Sequence, residues 1–181
     1  MLHLKNITAD NPKTAEQYQM TKQYGVTWLF SEDDKNWYEE QKNFASDTIK
    51  MVYTGDGRVV WVGKDVTGIE PRNASVIEVP DITANRRITV PGYWFYRDDK
   101  FVFDYKLKAE DERDALLQRV SIMTSEWEKD LLLGLISDDD REKLKAYRIY
   151  AKSLQAMDFS TITDKSSYNA IEWPVSLEAS S

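Results

Sequence analysis

The aromatic residues, glycines and prolines of this 181-residue chain are concentrated in its first 107 residues. Sixteen of the 22 aromatic side chains, six of the seven glycines and four of the five prolines lie there, whereas residues 108–181 are rich in Asp, Glu, Lys, Leu and Ala. Aromatic sequence interrupted by turn residues favours β structure, and the second composition favours helices. We therefore predict an α+β chain with two domains, a β-rich one over 1–107 and a helical one over 108–181.

The β-rich domain is predicted to combine antiparallel strands with one short helix. Asn11 can cap a helix and Pro12 suits its first position, which predicts a helix as far as about Gln23. A Gly-Asp-Gly turn separates β-type segments at 48–53 and 58–62, and this is the strongest hairpin pattern in the chain. Further strands are expected at 26–30, from 36 to 39, at 76–79, and in a last hairpin that joins 93–96 to 101–103.

The helical domain is predicted to be an antiparallel hairpin. Apolar residues spaced by three and four positions predict one helix over about 109–136 and a second from the cap Ser137 to about Met157. A two-helix hairpin buries one stripe of each helix, so the first helix has apolar surface left over. That surface must pack on the β domain, on a second copy of the hairpin or on another protein. The Ser/Thr-rich tail from Phe159 is expected to be loosely ordered, apart from Ile171–Pro174.

The composition excludes several classes of active site. Because the chain has no cysteine, disulfides, thiolate metal sites and cysteine nucleophiles are excluded. His3 is the single histidine, so a Ser-His-Asp triad or a multi-histidine metal site within one chain would depend on it alone. The acidic clusters at 32–34 and 138–140 fit a hairpin turn and a helix cap better than a metal-binding loop. We therefore expect no metal and no cofactor. The residues alone leave open an enzyme such as a glycosidase, because carboxylates are plentiful and any fold can bring two of them together.

Charge and hydropathy exclude two kinds of partner. The formal net charge is −7 and the isoelectric point is about 4.9, which opposes binding to a phosphate backbone, and the sequence contains no basic patch. No apolar run approaches the roughly 20 residues that span a bilayer. The first residues lack the apolar core of a signal peptide, so the chain is expected to stay in the compartment where it is made.

Adjacent aromatic residues indicate a candidate partner-binding surface. Neighbouring residues of a strand point to opposite faces, so the pairs within 37–38 and 93–96 would make both faces of their strands aromatic. The second face is then either an exposed contact surface or a second buried face, and the sequence leaves both open. The only adjacent basic pair, at 86–87, could contact an acidic partner. The candidate partner-binding residues are Trp28, Trp37, Tyr38, Arg86, Arg87 and Trp94.

Six segments are similar to those of a known family, the tail fibre assembly proteins of tailed bacteriophages, and the resemblance covers most of the chain. The segments that carry this resemblance are Asn11–Tyr18, Trp28–Tyr38, Asp47–Lys50, Glu78–Arg87, Leu144–Tyr150 and Ile171–Pro174. Two positions depart from the family pattern. Tyr147 stands where the family usually has Trp, which keeps an aromatic side chain in the helix. The chain also lacks the proline that often follows soon after the Trp-Pro pair.

The resemblance implies a non-enzymatic chaperone that helps tail fibre chains to fold and trimerise. It implies binding to the C-terminal end of a trimeric fibre in the host bacterial cytoplasm during assembly, and some family members remain at the fibre tip. The aromatic β domain would supply the contact, and the helical half would supply self-association or a further fibre contact. The main alternative is a carbohydrate-binding module at the virion tip, because flat aromatic faces also stack on sugar rings.

Overall fold

Antiparallel β structure fills the N-terminal half of the chain and helices fill the C-terminal half. A computed structural model describes residues 1–175, with 42% helix and 22% strand over the chain. The chain divides into two compact units, which we call the β-rich unit (Met1–Phe103) and the helical unit (from Asp104 onwards). The predicted α+β class, with strands preceding a helical hairpin, is therefore confirmed.

Seven strands and six α-helices make up the described part of the chain. The strands are β1 (His3–Asp10), β2 (Trp28–Phe30), β3 (Ile49–Thr54), β4 (Val59–Gly63), β5 (Ala74–Val79), β6 (Trp94–Arg97) and β7 (Lys100–Phe103). The helices are α1 (Ala15–Tyr24), α2 (Trp37–Glu40), α3 (Thr83–Arg86), α4 (Tyr105–Leu133), α5 (Asp138–Gln155) and α6 (Lys165–Asn169), with a short 3-10 turn at Gln41–Asn43.

Five of the strands form one antiparallel sheet in the order β2-β1-β5-β3-β4, and β6 pairs with β7 in a separate hairpin. The predicted β3–β4 hairpin is confirmed. Its turn residue Gly57 has a φ of +90°, and a Cβ there would lie 2.5 Å from the carbonyl oxygen of Tyr96. Only glycine can therefore adopt the positive φ of this turn and also leave room for the backbone of β6.

Both faces of the five-stranded sheet carry a buried apolar cluster. One face packs in a cluster of Leu4, Ile7, Leu29, Trp37, Val52, Val66, Ala74 and Val76. The other face packs in a cluster of Ile49, Met51, Val59, Val79, Ile88 and Trp94, with Phe101 and Phe103 against it. The aromatic residues of the β6–β7 hairpin thus supply a second core layer, because a sheet with two apolar faces needs cover on both.

A buried carboxylate ties three segments of the β-rich unit together. Glu78 on β5 accepts hydrogen bonds from the backbone N–H of Leu2 at 2.9 Å, from the backbone N–H of Ala45 at 2.7 Å and from the Thr48 hydroxyl at 2.7 Å. Lys50 lies directly opposite Glu78 on β3, and its ammonium group donates to the carbonyl oxygens of Ala45 and Thr48. Both side chains are almost completely buried, so each offsets the charge of the other.

Two local predictions in the β-rich unit are wrong. The first helix is capped by Thr14, whose hydroxyl accepts from the Gln17 N–H at 3.1 Å, so it begins after the expected Asn11 cap. The segment 36–39 is not a strand. Asn36 accepts from the Tyr38 N–H at 2.9 Å and starts a helical turn, as an N-cap does.

The predicted helical hairpin is present, with shifted ends. Asp104 caps α4 by accepting from the Leu107 N–H at 2.9 Å, and Gly134 ends it in the left-handed conformation. Ser137 caps α5 as predicted, accepting from the Asp140 N–H at 3.1 Å. The buried core of the unit is Val120, Tyr150 and Leu154, packed against Leu116, Leu117, Tyr147, Ala151, Met157 and Trp173.

The tail from Phe159, apart from Ile171–Pro174, was expected to be loosely ordered, but it contains a helix and a buried ring. Phe159 is buried, and its ring centroid lies 5.7 Å from that of Trp173. Asp164 and Ser167 form reciprocal capping bonds at the start of α6. The structure therefore differs from the expectation for these residues. The rest of the predicted tail, including the end without the family's second proline, lies outside the described residues 1–175.

The substitution Glu78→Gln tests the buried carboxylate. We expect it to lower the free energy of unfolding by about 3 kcal/mol at neutral pH, because it leaves the Lys50 charge uncompensated. Burial alone would raise the pKa of Glu78. Hydrogen bonds from Thr48, Leu2 and Ala45, together with the charge of Lys50, have the larger effect and hold the pKa below its ordinary value of 4.5. The stabilisation is therefore present above pH 4.5 and is lost as the pH falls through the lowered pKa.

Urea denaturation of both proteins at neutral and at strongly acidic pH measures this effect. The difference in unfolding free energy should be large at neutral pH and should shrink at acidic pH. An equal difference under both conditions would contradict a stabilising role for the ionised carboxylate.

Candidate partner-binding surface

The six residues expected to bind a partner differ in their exposure. Their three tryptophans are buried, whereas the tyrosine and the two arginines are exposed. The buried residues are Trp28, Trp37 and Trp94, and the exposed residues are Tyr38, Arg86 and Arg87. The structure therefore assigns the tryptophans to packing. It leaves the exposed residues available for contact, together with whatever side chains lie beside them.

Trp28 fastens α1 to the sheet and positions Tyr38. Its indole N–H donates to the Thr21 hydroxyl at 2.8 Å and to the Gln17 carbonyl at 3.1 Å. The Tyr38 ring stands edge-on to Trp28 with centroids 5.9 Å apart, and its hydroxyl donates to the Thr27 carbonyl at 3.1 Å. Burial of one side of the ring raises the pKa of Tyr38. Tyr38 therefore presents a fixed, neutral ring edge at the surface.

Trp37 lies on the other side of the same helical turn and is completely buried. It packs in the Leu4, Ile7 and Val76 cluster, and its ring centroid lies 6.1 Å from that of Phe44. The expected strand would have placed residues 37 and 38 on opposite faces. The helical turn also separates them, with one inside and one outside. Only Tyr38 of this pair is accessible to a partner.

Arg87, Trp94 and neighbouring residues line a groove of about 510 Å³ on the β-rich unit, which we call the β-unit groove. Its walls come from the N-terminal end of β1, from α3 and the residues after it, and from the β6–β7 hairpin. The apolar lining residues are Met1, Leu2, Ile77, Val79, Ala84, Ile88, Trp94 and Phe101, and the polar ones are His3, Glu78, Asn85, Arg87, Tyr96, Asp99 and Lys100. The groove thus joins an apolar floor to a charged rim.

The two adjacent arginines have different electrostatic surroundings. The Arg86 guanidinium donates to the Asp81 carboxylate at 2.7 Å, and Lys64 lies 2.7 Å from the same carboxylate. These two cations lower the pKa of Asp81 to about 2. Arg87 instead stacks over the Trp94 ring, 5.5 Å from its centroid, as in a cation–π contact. Arg86 is therefore already paired, and Arg87 is the arginine that can accept an external anion.

Lys100 supplies a second available cation at the same groove. Neither Arg87 nor Lys100 forms an ion pair within residues 1–175, and both side chains are exposed. Glu78, which also lines the groove, has its charge offset by Lys50. The remaining charged groups at the rim are therefore two cations, Arg87 and Lys100, and one carboxylate, that of Asp99. Such a rim around an aromatic floor fits a segment that carries both apolar and acidic side chains.

One wall of the groove is a cluster of hydrogen-bonded rings. The His3 Nε2 lies 2.7 Å from the Tyr53 hydroxyl, and the Tyr96 hydroxyl donates to Asp99 at 3.1 Å. Burial, together with the nearby carboxylate, raises the pKa of Tyr96 to about 12. Burial, together with the charge of Lys5, lowers the pKa of His3. At neutral pH the rings of His3, Tyr53 and Tyr96 are therefore uncharged, and they pack on one another with centroids 4.8–5.8 Å apart.

Lys100 and His3 line the groove but are not among the six residues expected to bind a partner. Nothing in their local sequence marks them, because the groove joins segments that are far apart in the chain. The pairing of β1 with β5 opposes His3 to Ile77 and brings it there.

The described residues contain no arrangement typical of a metal centre. Within residues 1–175, no three His, Asp or Glu side chains form a group that could hold a metal ion. The acidic cluster at 32–34 lies in a turn, where the Ser31 hydroxyl donates to Asp33 at 2.6 Å. The cluster at 138–140 lies in the first turn of α5, which Ser137 caps. In the same part of the chain, no helix is long and apolar enough to cross a membrane.

Comparison with known proteins gives one consistent result. Residues 39–178 match the family model described as "Caudovirales tail fibre assembly protein, lambda gpK". The chain is 48% identical over 168 residues to the tail fiber assembly protein U' of Escherichia phage Mu, which covers 90% of this chain and 95% of that protein. The chain is 46% identical over 168 residues to the tail fiber assembly protein U' of Escherichia phage P1, and this match also covers 90% of this chain and 95% of that protein.

A third relative is more distant but is matched over nearly its full length. The chain is 41% identical over 164 residues to a probable tail fiber assembly protein of Escherichia phage P2, covering 87% of this chain and 94% of that protein. These matches include segments of both the β-rich and the helical unit.

Single substitutions at Trp37 and Tyr38 separate packing from contact. We expect Trp37→Ala to lower the free energy of unfolding by about 3–5 kcal/mol, the usual cost of a large cavity in a core. Trp37→Phe should cost far less, because the indole N–H has no hydrogen-bond partner within residues 1–175. The adjacent Tyr38, which is 40% exposed, is the matched control, and Tyr38→Ala should cost only about 1 kcal/mol. Chemical denaturation measures all three, and a larger loss for Tyr38→Ala than for Trp37→Ala would contradict the assignment.

Proposed function

Because the chain belongs to the tail fibre assembly protein family of tailed phages, we propose that it is a chaperone that binds the C-terminal end of a trimeric tail fibre and promotes its folding and trimerisation. The family assignment supports a role in tail fibre assembly. The finer mechanism is our proposal. It includes a non-enzymatic action in the host bacterial cytoplasm during assembly and retention of the protein at the fibre tip.

The observation that carries the mechanism is the β-unit groove. Three chains that must trimerise expose apolar surface at their ends until they are in register. A partner that covers such an end needs an apolar floor and a rim that limits binding to the correct orientation. The Trp94 floor with Arg87 and Lys100 on its rim has this combination. We therefore place the fibre contact on the β-rich unit, at this groove.

The six candidate residues have different roles in this proposal. Arg87 contacts the fibre directly through its available charge, and Trp94 holds the Arg87 guanidinium in place from beneath. Tyr38 is a second, separate surface point. Arg86 is withdrawn as an anchor because Asp81 already pairs with it. Trp28 and Trp37 act only through the stability of the fold.

The alternative function, a carbohydrate-binding module at the virion tip, needs flat and accessible aromatic faces. Trp28, Trp37 and Trp94, the candidate tryptophans, are each less than a tenth exposed. Their burial favours the chaperone proposal over that alternative. We therefore retain the chaperone proposal. Its partner is a fibre protein, and its partners include neither nucleic acid nor membrane.

The proposal also includes association between two copies through the helical unit. This unit has a small core and leaves apolar side chains of α4 exposed. Fibre contact and self-association are then properties of different units, so each can be removed by substitution without removing the other.

Co-expression with the cognate fibre tests the chaperone role. The fibre alone should be insoluble or monomeric, and co-expression should yield a soluble trimer that carries this protein. Arg87→Glu should weaken the complex by about tenfold or more, which is the effect of losing a central arginine anchor. Arg72→Glu is the matched control, because Arg72 is an exposed arginine outside the groove.

The outcomes separate the parts of the proposal. An equal yield of soluble trimeric fibre without this protein would contradict the chaperone role. If the wild-type protein rescues the fibre and the Arg87→Glu variant binds the fibre equally well, the chaperone role stands but the fibre contact lies outside the groove.

A further inference from the structure

The outer edge of strand β7 borders the β-unit groove. β7 pairs with β6 on one side, and among residues 1–175 no strand pairs with its other side. Lys100 and Phe101 of β7 both line the groove. An unpaired strand edge offers its outward backbone N–H and C=O groups to another extended chain. The edge of β7 is therefore a part of the groove that can bind through the backbone.

The hairpin geometry determines which backbone groups of β7 point outwards. Asp98 and Asp99 form its two-residue turn, with φ angles of +50° and +57°, and the strand pairing opposes Tyr96 to Phe101. The Tyr96 N–H donates to the carbonyl oxygen of Gly57 at 2.7 Å, away from β7. Opposed residues of an antiparallel pair exchange either two hydrogen bonds or none, so this pair exchanges none. The N–H and C=O of Phe101 therefore point away from β6, towards the outer edge.

The backbone of Phe101 supplies a donor and an acceptor that are still available. Neither group has a hydrogen-bond partner among residues 1–175. The Phe101 ring packs against the core cluster of Ile49 and Met51, and its centroid lies 5.0 Å from that of Tyr96. The core thus holds this part of the edge in position, while its hydrogen-bonding groups face outwards.

The floor and rim of the groove determine which kind of chain fits this edge. The floor includes Ile77, Val79 and Ile88, which are apolar. Side chains alternate between the two sides of a strand, so every second residue of an added strand faces the floor. The residues between them face outwards beside Lys100, which, like Arg87 of the same rim, forms no ion pair within residues 1–175. Carboxylates at these outward positions complement the two cations.

We propose that the β-unit groove binds an extended segment of its partner by adding it as a third strand to the β6–β7 hairpin, at the outer edge of β7. The segment pairs its backbone with Phe101. It alternates apolar side chains, which face the floor, with acidic side chains, which face Lys100 and Arg87. This inference rests on the proposed function, in which the partner is the tail fibre, and it adds the binding mode and the sequence pattern of the bound segment.

Docking through side chains alone is the competing binding mode. The groove has a volume of about 510 Å³, within the range of about 300–1,000 Å³ that is usual for ligand sites, so it takes a short segment rather than a folded domain. A segment that filled the groove without backbone pairing would cover the N–H and C=O of Phe101 and leave them unpaired, which costs free energy. Strand addition satisfies both groups.

Residue-level hydrogen exchange of the full-length protein, free and in its co-purified complex with the cognate fibre, tests the inference. In the free protein the Phe101 amide should exchange rapidly. The Val102 amide is the internal control, because the alternation along β7 turns it towards Phe95 of β6 and protects it in both states. Fibre binding should slow exchange of the Phe101 amide by about tenfold or more, which is the effect of one new hydrogen bond.

The substitution Phe101→Pro tests the backbone pairing separately from burial. Proline removes the outward N–H without removing a hydrogen bond to β6, and an edge strand tolerates proline at such a position. Phe101→Val is the matched control, because it also removes the ring but keeps the N–H. We expect Phe101→Pro to bind the fibre about tenfold or more weakly than Phe101→Val. Chemical denaturation should show that both variants are folded.

Rapid exchange of the Phe101 amide in the complex would overturn the inference, and so would equal fibre binding by the two folded variants. If Phe101→Pro does not fold, the exchange measurement on the wild-type protein decides. A fibre that loses affinity with Arg87→Glu but leaves the Phe101 amide in rapid exchange would keep the groove contact and exclude strand addition. If no fibre co-purifies with the wild-type protein, the proposed function and this inference are both overturned.

Discussion

The buried carboxylate of Glu78 is the polar contact on which the β-rich unit depends, because it joins β5 to two other segments of the chain. It receives hydrogen bonds from the start of the chain and from the loop before β3, while Lys50 offsets its charge across the strand pair. An apolar residue at this position would leave the donors of Leu2 and Ala45 unpaired in a buried site. Because the same contact fixes the N-terminal end of β1, it also fixes one wall of the β-unit groove.

A sheet with two apolar faces is the second constraint on this chain. The β6–β7 hairpin covers one face, and loop residues with α2 cover the other. Where the hairpin meets α3 and the end of β1, the cover is incomplete, and this gap is the β-unit groove. The aromatic excess of the sequence therefore serves mainly to cover the sheet, and the binding surface arises at the edge of that cover.

Local patterns with their own physical cause were predictable from the sequence. The Gly-Asp-Gly turn predicted β3 and β4, because Gly57 needs a positive φ, and Ser137 predicted the start of α5. Strand β1 was not predicted. A shift of register between Leu4 and Ile7, with Asn6 at a φ of +47°, breaks the apolar–polar alternation by which a strand is recognised.

The candidate site was predicted less well than the fold, because exposure is a tertiary property. Trp37 and Tyr38 are adjacent in sequence, yet one is core and the other is surface, since the Asn36 cap turns the backbone into a helix there. Arg86 and Arg87 are also adjacent, and only the position of Asp81 distinguishes them. His3 and Lys100 reach the groove through strand pairing and hairpin docking, which no local sequence window contains.

Hydrogen exchange of this protein, alone and bound to the trimeric C-terminal region of its cognate fibre, tests the central claim most directly. The account predicts that fibre binding slows exchange in the backbone around the β-unit groove, residues 84–88 and 94–101. It predicts no comparable slowing around the turn between α4 and α5, residues 131–136. Slowed exchange at that turn, with no change at the groove, would contradict the account.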